Sequence, residues 1–84
     1  MKPIQELLSR IRWDKTFGDA EFRIGYYDRV EQDIVLVELA EIRFPADDHG
    51  VFEWTDPEGE IHSVPLHRIK QIYRNGELIW RRSH

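Results

Sequence analysis

Residues 68–82 read RIKQIYRNGELIWRR and contain the clearest structural signal in the chain. At its centre, Asn75-Gly76 is the strongest two-residue hairpin signal, because both central positions of a type I′ turn need a positive φ. The turn predicts two facing pairs across the hairpin, Tyr73 with Leu78 and Ile72 with Ile79. Apolar side chains then fall on both faces of the hairpin. We therefore expect one face to meet a helix and the other to meet a further part of a curled sheet.

On the N-terminal side of this hairpin, alternating or continuous apolar runs predict further strands. They lie at residues 22–27, 34–37, 51–55 and 60–64. Residues 56–59 (DPEG) predict a type I turn, since Pro suits its second position and Gly its fourth. Residues 41–50, which include Pro45 and the run DDHG, are typical of an exposed loop.

The N-terminal segment has the spacing of a one-faced helix, with apolar side chains at Ile4, Leu7, Leu8 and Ile11. We expect a helix from about Pro3 to Arg12 and a loop from Lys15 to Asp19. Trp13, Trp54 and Trp80 are expected in the core. The predicted fold class is α+β, with one N-terminal helix packed on a five- or six-stranded, mostly antiparallel, strongly curled sheet or partial barrel. Residues 1–84 are expected to form one domain.

The composition of the chain excludes several classes of protein and of binding site. The chain has no cysteine, which excludes disulfide stapling and cysteine zinc sites. The N-terminal segment is amphipathic and does not predict a secretory signal. The longest apolar run, near residues 34–37, is far too short to cross a bilayer, so we expect no membrane contact. These features favour a cytoplasmic location.

Charge is unevenly distributed along the chain. Residues 31–60 carry ten acidic side chains against Arg43, a net charge of −9. Residues 61–84 carry five basic side chains against Glu77, a net charge of +4. The basic groups are mostly arginine, whose planar guanidinium suits phosphate but is also common in ion pairs. The acidic middle is expected to be a solvated face or a contact for a basic protein.

The sequence gives little indication of a catalytic site or a metal site. The five glycines are scattered and form no phosphate-binding loop. His62 and His67 are five residues apart across Pro65, a spacing that points to opposite faces of a strand. We therefore predict no metal site, no cofactor and no catalytic residues.

Four segments together resemble a known family. They are residues 11–14 (IRWD), 24–30 (IGYYDRV), 64–69 (VPLHRI) and 76–82 (GELIWRR). In that order they are similar to the signature of the RNA cyclic-group end-recognition family. Some relatives have His at the position of Asp28 and Asp at that of Arg81. Each segment alone is weak, whereas the ordered set covers nearly the whole chain.

This resemblance implies a non-catalytic module that recognises RNA termini, including 2′,3′-cyclic phosphate ends, in RNA processing or repair. By position it carries over Arg29, His67 and Arg68 as ligands of RNA or phosphate, with Trp13, Tyr26 and Trp80 around them. Independently of the resemblance, Tyr27 is a candidate for stacking on a terminal base, and Arg82 for nonspecific attraction to phosphate. Each of them has a structural alternative, such as an ion pair for Arg68 or a core position for a tyrosine. Two other functions stay open. They are a protein-interaction module that uses residues 31–60, and a weak cyclic phosphodiesterase with His67 as acid or base. The sequence does not decide the oligomeric state.

Overall fold

The computed structural model describes residues 3–82. Helix α1 spans Ile4–Trp13, with Leu7 buried against the core. The predicted helix is confirmed. The predicted loop after it is wrong, because the Asp14 side chain accepts a hydrogen bond from the Phe17 N–H at 3.1 Å. That cap starts a single helical turn, α2, over Lys15–Gly18.

Seven strands follow within the described residues. They are β1 (Phe22–Asp28), β2 (Asp33–Glu38), β3 (Ile42–Arg43), β4 (Val51–Thr55), β5 (Ile61–Pro65), β6 (Ile69–Arg74) and β7 (Glu77–Arg81). The first sheet has the order β2-β1-β6-β7 and the second the order β3-β4-β5, and the paired strands are antiparallel throughout. The α+β class and the antiparallel pairing are confirmed. Among residues 3–82, no helix has the length and apolarity needed to cross a bilayer.

The expected single curled sheet or partial barrel of five or six strands is wrong. The strands form two open sheets, because the chain leaves one sheet and enters the other through a 3₁₀ turn each time. One turn, Leu39–Glu41, joins β2 to β3, and the other, Leu66–Arg68, joins β5 to β6. Backbone within a 3₁₀ turn bonds to itself and cannot continue a strand ladder. The expected loop at 41–50 is correspondingly shorter, since β3 occupies its start.

The core lies between α1 and the facing sides of the two sheets. Ile24, Phe52, Ile69 and Ile72 are fully buried within it. Tyr26 joins the sheets, because its ring meets Phe52 edge to face with 5.7 Å between the ring centroids. The outer side of the first sheet has no such cover and exposes Leu36 and Leu78. The expectation that both hairpin faces would be covered is therefore wrong.

The last hairpin is confirmed at its turn and corrected in its register. Asn75 and Gly76 have φ of 50° and 84°, as a type I′ turn requires. Tyr73 lies opposite Leu78, but Ile72 lies opposite Trp80 rather than Ile79. A β-bulge at Ile79 shifts the pairing by one residue and turns Trp80 inward, where it is 7% exposed.

Trp13 is not in the core, contrary to expectation, and is 76% exposed. Two residues beyond Ile11 correspond to about 200° of helical rotation, so Trp13 points away from the apolar stripe of α1. Trp54 packs against the core and is partly buried. The predicted turn at 56–59 is confirmed, with the Gly59 N–H donating to the Asp56 carbonyl at 2.9 Å.

Candidate functional site

The 3₁₀ turn Leu66–Arg68, called here the 66–68 turn, presents two of the predicted site residues. Its first residue is anchored, since the Leu66 N–H donates to the Gly50 carbonyl at 2.8 Å and the side chain is buried. Successive residues of a 3₁₀ helix lie about 120° apart. With Leu66 directed inward, His67 is exposed and Arg68 is half-buried.

Arg82 holds this turn from the last strand. Its Nε donates to the Ile69 carbonyl at 2.9 Å and its Nη2 to the Leu66 carbonyl at 3.4 Å. Its guanidinium carbon lies 5.1 Å from the centroid of the Trp80 ring. Two main-chain carbonyls therefore use part of the hydrogen-bonding capacity of Arg82, a side chain that was predicted from the sequence to bind phosphate. Its geometry makes it a brace for the backbone around the 66–68 turn.

His67, Arg68 and Arg29 differ from Arg82 in having uncommitted side chains. Within residues 3–82, none of the three makes a side-chain hydrogen bond or an ion pair. Arg29 is exposed and follows the last residue of β1. The neighbouring Asp28 carboxylate instead accepts the N–H groups of Val30 and Glu31 at 2.8 and 3.1 Å.

Strand register brings these residues to the same end of the first sheet. β1 and β6 are antiparallel, with Tyr26 opposite Ile69. The residues after Tyr26 therefore lie beside the residues before Ile69, and β1 contacts the 66–68 turn. We call this end of the sheet the cationic edge, defined by Arg29, His67, Arg68 and Arg82.

The two adjacent tyrosines lie on opposite faces of β1. Tyr26 is 3% exposed, and its hydroxyl accepts a hydrogen bond from Trp54 Nε1 at 3.1 Å. Burial raises the pKa of the Tyr26 hydroxyl above its ordinary value. Tyr27 is 37% exposed on the outer side of the sheet. Of the two rings that the sequence predicted for RNA, only that of Tyr27 is available for stacking on a base.

A second polar cluster lies on the other sheet. His62 Nε2 is 2.8 Å from Asp56 Oδ2, and the His62 ring stacks on Trp54 with 4.7 Å between centroids. Asp56 Oδ1 also accepts the N–H groups of Glu58 and Glu60. The hydrogen bond from His62 is the largest cause that lowers the pKa of Asp56, and these N–H groups add to it.

The same cluster has the residue types of a divalent-cation site, which the sequence analysis missed. Ligand atoms of Asp56, Glu60 and His62 lie within 4.8 Å of one another. The signal was the hairpin turn at residues 56–59, which returns His62 beside Asp56, whereas His62 had been compared only with His67. Asp56 and His62 are already hydrogen-bonded to each other, and Asp56 also accepts two backbone N–H groups. The cluster therefore does not by itself indicate a metal.

Two concave surfaces flank these residues. A cleft of about 500 Å³ contains the carboxylates of Asp28, Glu31, Asp33 and Asp56 beside His62. Its charge disfavours phosphate. A groove of about 630 Å³ runs along α1, with Trp13, Phe44 and Leu66 in its wall. Neither contains the uncommitted cations of the cationic edge.

The fold and this edge define a small α+β module in which Arg29, His67 and Arg68 lie at one end of a sheet without side-chain partners among residues 3–82. The chain belongs to the MJ1316 RNA cyclic group end recognition domain family, whose sequence pattern matches residues 1–82. The resemblance drawn from the four sequence segments is thereby confirmed. No solved structure matches the chain.

Proposed function

We propose that this protein is a non-catalytic, single-domain module that binds RNA termini carrying a 2′,3′-cyclic phosphate, in cytoplasmic RNA processing or repair. The observation that carries the proposal is the pair His67 and Arg68, which have no side-chain partner within residues 3–82 and sit in a braced turn beside Arg29. The name of the family supports the same ligand.

The donor chemistry of the edge suits this ligand. A cyclic phosphate carries one negative charge, and its oxygens accept hydrogen bonds without donating any. Arg29 and Arg68 are donors only, and an imidazole N–H of His67 adds another donor. Charge-assisted hydrogen bonds from guanidinium to phosphate oxygens are among the stronger protein contacts. A 3′-hydroxyl end offers no comparable anion to these groups.

Binding rather than turnover is favoured by the surroundings of His67. General acid–base catalysis needs a positioned group within hydrogen-bond reach of the proton it moves. Within residues 3–82, no carboxylate is hydrogen-bonded to His67 to orient its ring. A weak phosphodiesterase is the alternative activity. Hydrolysis of a cyclic phosphate that disappears in His67→Ala would replace the binding proposal with that one.

The direct test is a titration of one short RNA sequence with three different 3′ ends, at physiological salt. The donors of the edge favour both phosphate-bearing ends over the 3′-hydroxyl, and the family description adds the expectation that the 2′,3′-cyclic phosphate binds more tightly than the 3′-phosphate. Equal affinity for all three would overturn end recognition. Arg43→Ala is the matched control, because it removes one exposed arginine from the second sheet, where Arg43 pairs with Glu53. It should leave the preference between ends unchanged.

A second candidate function rests on the acidic segment. Residues 31–60 carry ten acidic side chains against Arg43. Asp47 and Asp48 are exposed in the loop before β4. A basic protein partner would dock on this surface. Replacing both aspartates with asparagine should weaken that contact and leave RNA affinity unaltered, whereas loss of RNA affinity in this variant would argue against separate surfaces.

A further inference from the structure

The outer face of the first sheet is an unpartnered surface next to the cationic edge. Register and alternation with the buried Ile24 and Ile72 define its members. They are Arg23, Gly25, Tyr27, Ile34, Leu36, Gln71, Tyr73 and Leu78. Tyr27 and Ile34 are each 37% exposed, Leu78 44% and Leu36 54%. Helix α1 and the second sheet pack on the opposite side, so this face is open to solvent.

Aromatic rings stand on both central strands of this face. Tyr27 is on β1 and Tyr73 is on β6, opposite Arg23. Because Arg23 and Tyr27 are four residues apart, the two rings are separated by about 13 Å along the strand direction. That length accommodates about four bases stacked at roughly 3.4 Å each. The Tyr73 hydroxyl donates to Gln71 Oε1 at 3.1 Å, which restricts the orientation of its ring.

Gly25 lies between the two rings, and neighbouring side chains cover it. A Cβ at this position would come within 3.1 Å of Ile34 Cγ2 and of Leu36 Cδ2, and within 3.2 Å of Gln71 Oε1. Ile34 and Leu36 of β2 and Gln71 of β6 therefore fill the space that a side chain at Gly25 would take. With Tyr27, the two β2 side chains give this part of the face an apolar surface beside Gln71, which suits the π-face of a nucleobase.

Charge selects single-stranded RNA as the occupant. Arg29 and Arg68 lie just beyond Tyr27, and Arg23 lies towards the other end of the face. Arg23 pairs with Glu38 at 2.9 Å, but both side chains are about half exposed. Exposed ion pairs are weak, so Arg23 can exchange Glu38 for a phosphate. The loops that border the second sheet carry exposed Asp47, Asp48 and Glu58, which disfavour the RNA backbone there. On the first sheet the carboxylates of Asp28, Glu31 and Asp33 lie at the β1–β2 corner, so the favourable path for the strand runs over β1 and β6.

We infer that the outer face of the first sheet is a stacking platform for the bases that precede the RNA end. The inference rests on the proposed end recognition and extends it. The terminal phosphate is held at the cationic edge, the nearest base stacks on Tyr27, and earlier bases continue towards Tyr73. The ligand is therefore a single-stranded 3′ tail of several nucleotides, since base pairing would hide the faces that stack.

A length series separates the platform from the end site. The probes are uridine 2′,3′-cyclic monophosphate and single-stranded oligouridines of two, four and six nucleotides with the same cyclic end. We expect affinity to rise with length in the native protein. Tyr73→Ala should reduce affinity for the longest oligomer by on the order of tenfold and leave that for the mononucleotide unchanged. Tyr73→Phe keeps the ring and should retain most of the gain, which shows that the ring rather than its hydrogen bond to Gln71 is needed.

Trp13→Ala is the matched control, because it removes an exposed aromatic from α1 on the other side of the molecule. A flat length profile in the native protein, or loss of the gain in Trp13→Ala but not in Tyr73→Ala, would overturn the platform. Analytical sedimentation that shows dimers of the native protein, abolished by Leu36→Ser, would also overturn the platform. The outer face would then be covered by a second copy of the chain. A steep length profile with no preference between ends would instead overturn end recognition and leave the platform standing.

Discussion

Arg82 Nε donates to the main-chain carbonyl of Ile69 over 2.9 Å, from the residue after β7 to the first residue of β6. The same guanidinium reaches the Leu66 carbonyl, so one side chain ties both ends of the 66–68 turn. The turn that presents His67 and Arg68 is therefore held by a residue that is distant in sequence. Its role can be separated from that of a phosphate ligand.

Arg82→Ala is expected to destabilise the protein. Hydrogen bonds that involve a charged donor contribute about 1.5–3 kcal/mol each, and the change leaves the Leu66 and Ile69 carbonyls without this donor. We expect the free energy of unfolding to fall by about 2 kcal/mol in a chemical denaturation curve. The matched control is Arg81→Ala at the neighbouring exposed position, which should cost well under 1 kcal/mol. Equal stability of the two variants would contradict the bracing role.

Gly76→Val tests the turn of the last hairpin. Gly76 has a φ of 84°, a conformation that a β-branched residue adopts only with strain. No atom outside its own neighbourhood lies within 4 Å of a Cβ built there, so the effect is conformational rather than steric crowding. We expect a loss of about 1–2 kcal/mol or more in denaturation by urea. A variant of unchanged stability would mean that the turn is not of the type I′ class.

The pairing of Asp56 with His62 predicts an acid-dependent contribution to stability. The pKa of Asp56 is lowered from its ordinary 3.8, with the hydrogen bond from His62 as the largest cause. A carboxylate with a lowered folded pKa stabilises the fold above its unfolded pKa. The contribution is lost as the pH falls below 3.8 and through the folded value. Melting temperature against pH should therefore fall less steeply in acid for Asp56→Asn. Superimposable acid limbs would exclude this linkage.

The sequence predicted correctly those elements whose conformation depends on residues close together in the chain. The α1 stripe, the Asn75-Gly76 turn and the turn ending at Gly59 were all predicted. The register beyond the last turn was not, because the bulge at Ile79 is favoured by burying Trp80 among residues distant in sequence. The two-sheet arrangement was missed for a similar reason. Pro65, which has no N–H for a ladder, did predict an interruption and a bend before the last hairpin, but nothing in residues 39–41 predicted the other 3₁₀ turn.

The candidate site was predictable in composition and not in geometry. Arg29, His67 and Arg68 were identified from the resemblance, and register brings them to one end of a sheet. Alternation along β1 places Tyr26 on the same face as Phe22 and Ile24, so the sequence favoured Tyr26 as the buried ring, although both tyrosines were assigned to RNA. The sequence could not reveal that Arg82 donates to backbone carbonyls, since that contact depends on where β7 ends relative to the 66–68 turn.

Arg68 offers the sharpest test of the cationic edge. It makes no side-chain hydrogen bond or ion pair within residues 3–82, so Arg68→Ala should leave the melting temperature nearly unchanged. If its guanidinium holds the cyclic phosphate, losing one or two charge-assisted contacts of about 1.5–3 kcal/mol each should weaken end binding by roughly ten- to a hundredfold. The measurements are a thermal melt and an affinity titration on the same preparation.

Arg68→Lys distinguishes geometry from charge in that result. Lysine keeps the positive charge but loses the planar fork that donates two parallel hydrogen bonds to phosphate oxygens. We therefore expect Arg68→Lys to bind the cyclic end almost as weakly as Arg68→Ala, while Arg43→Lys on the second sheet has no effect. Full rescue by lysine would reduce Arg68 to a general electrostatic role. A destabilised Arg68→Ala protein with unaltered affinity would remove Arg68 from the site, because a structural ion pair and not a ligand contact would then have been lost.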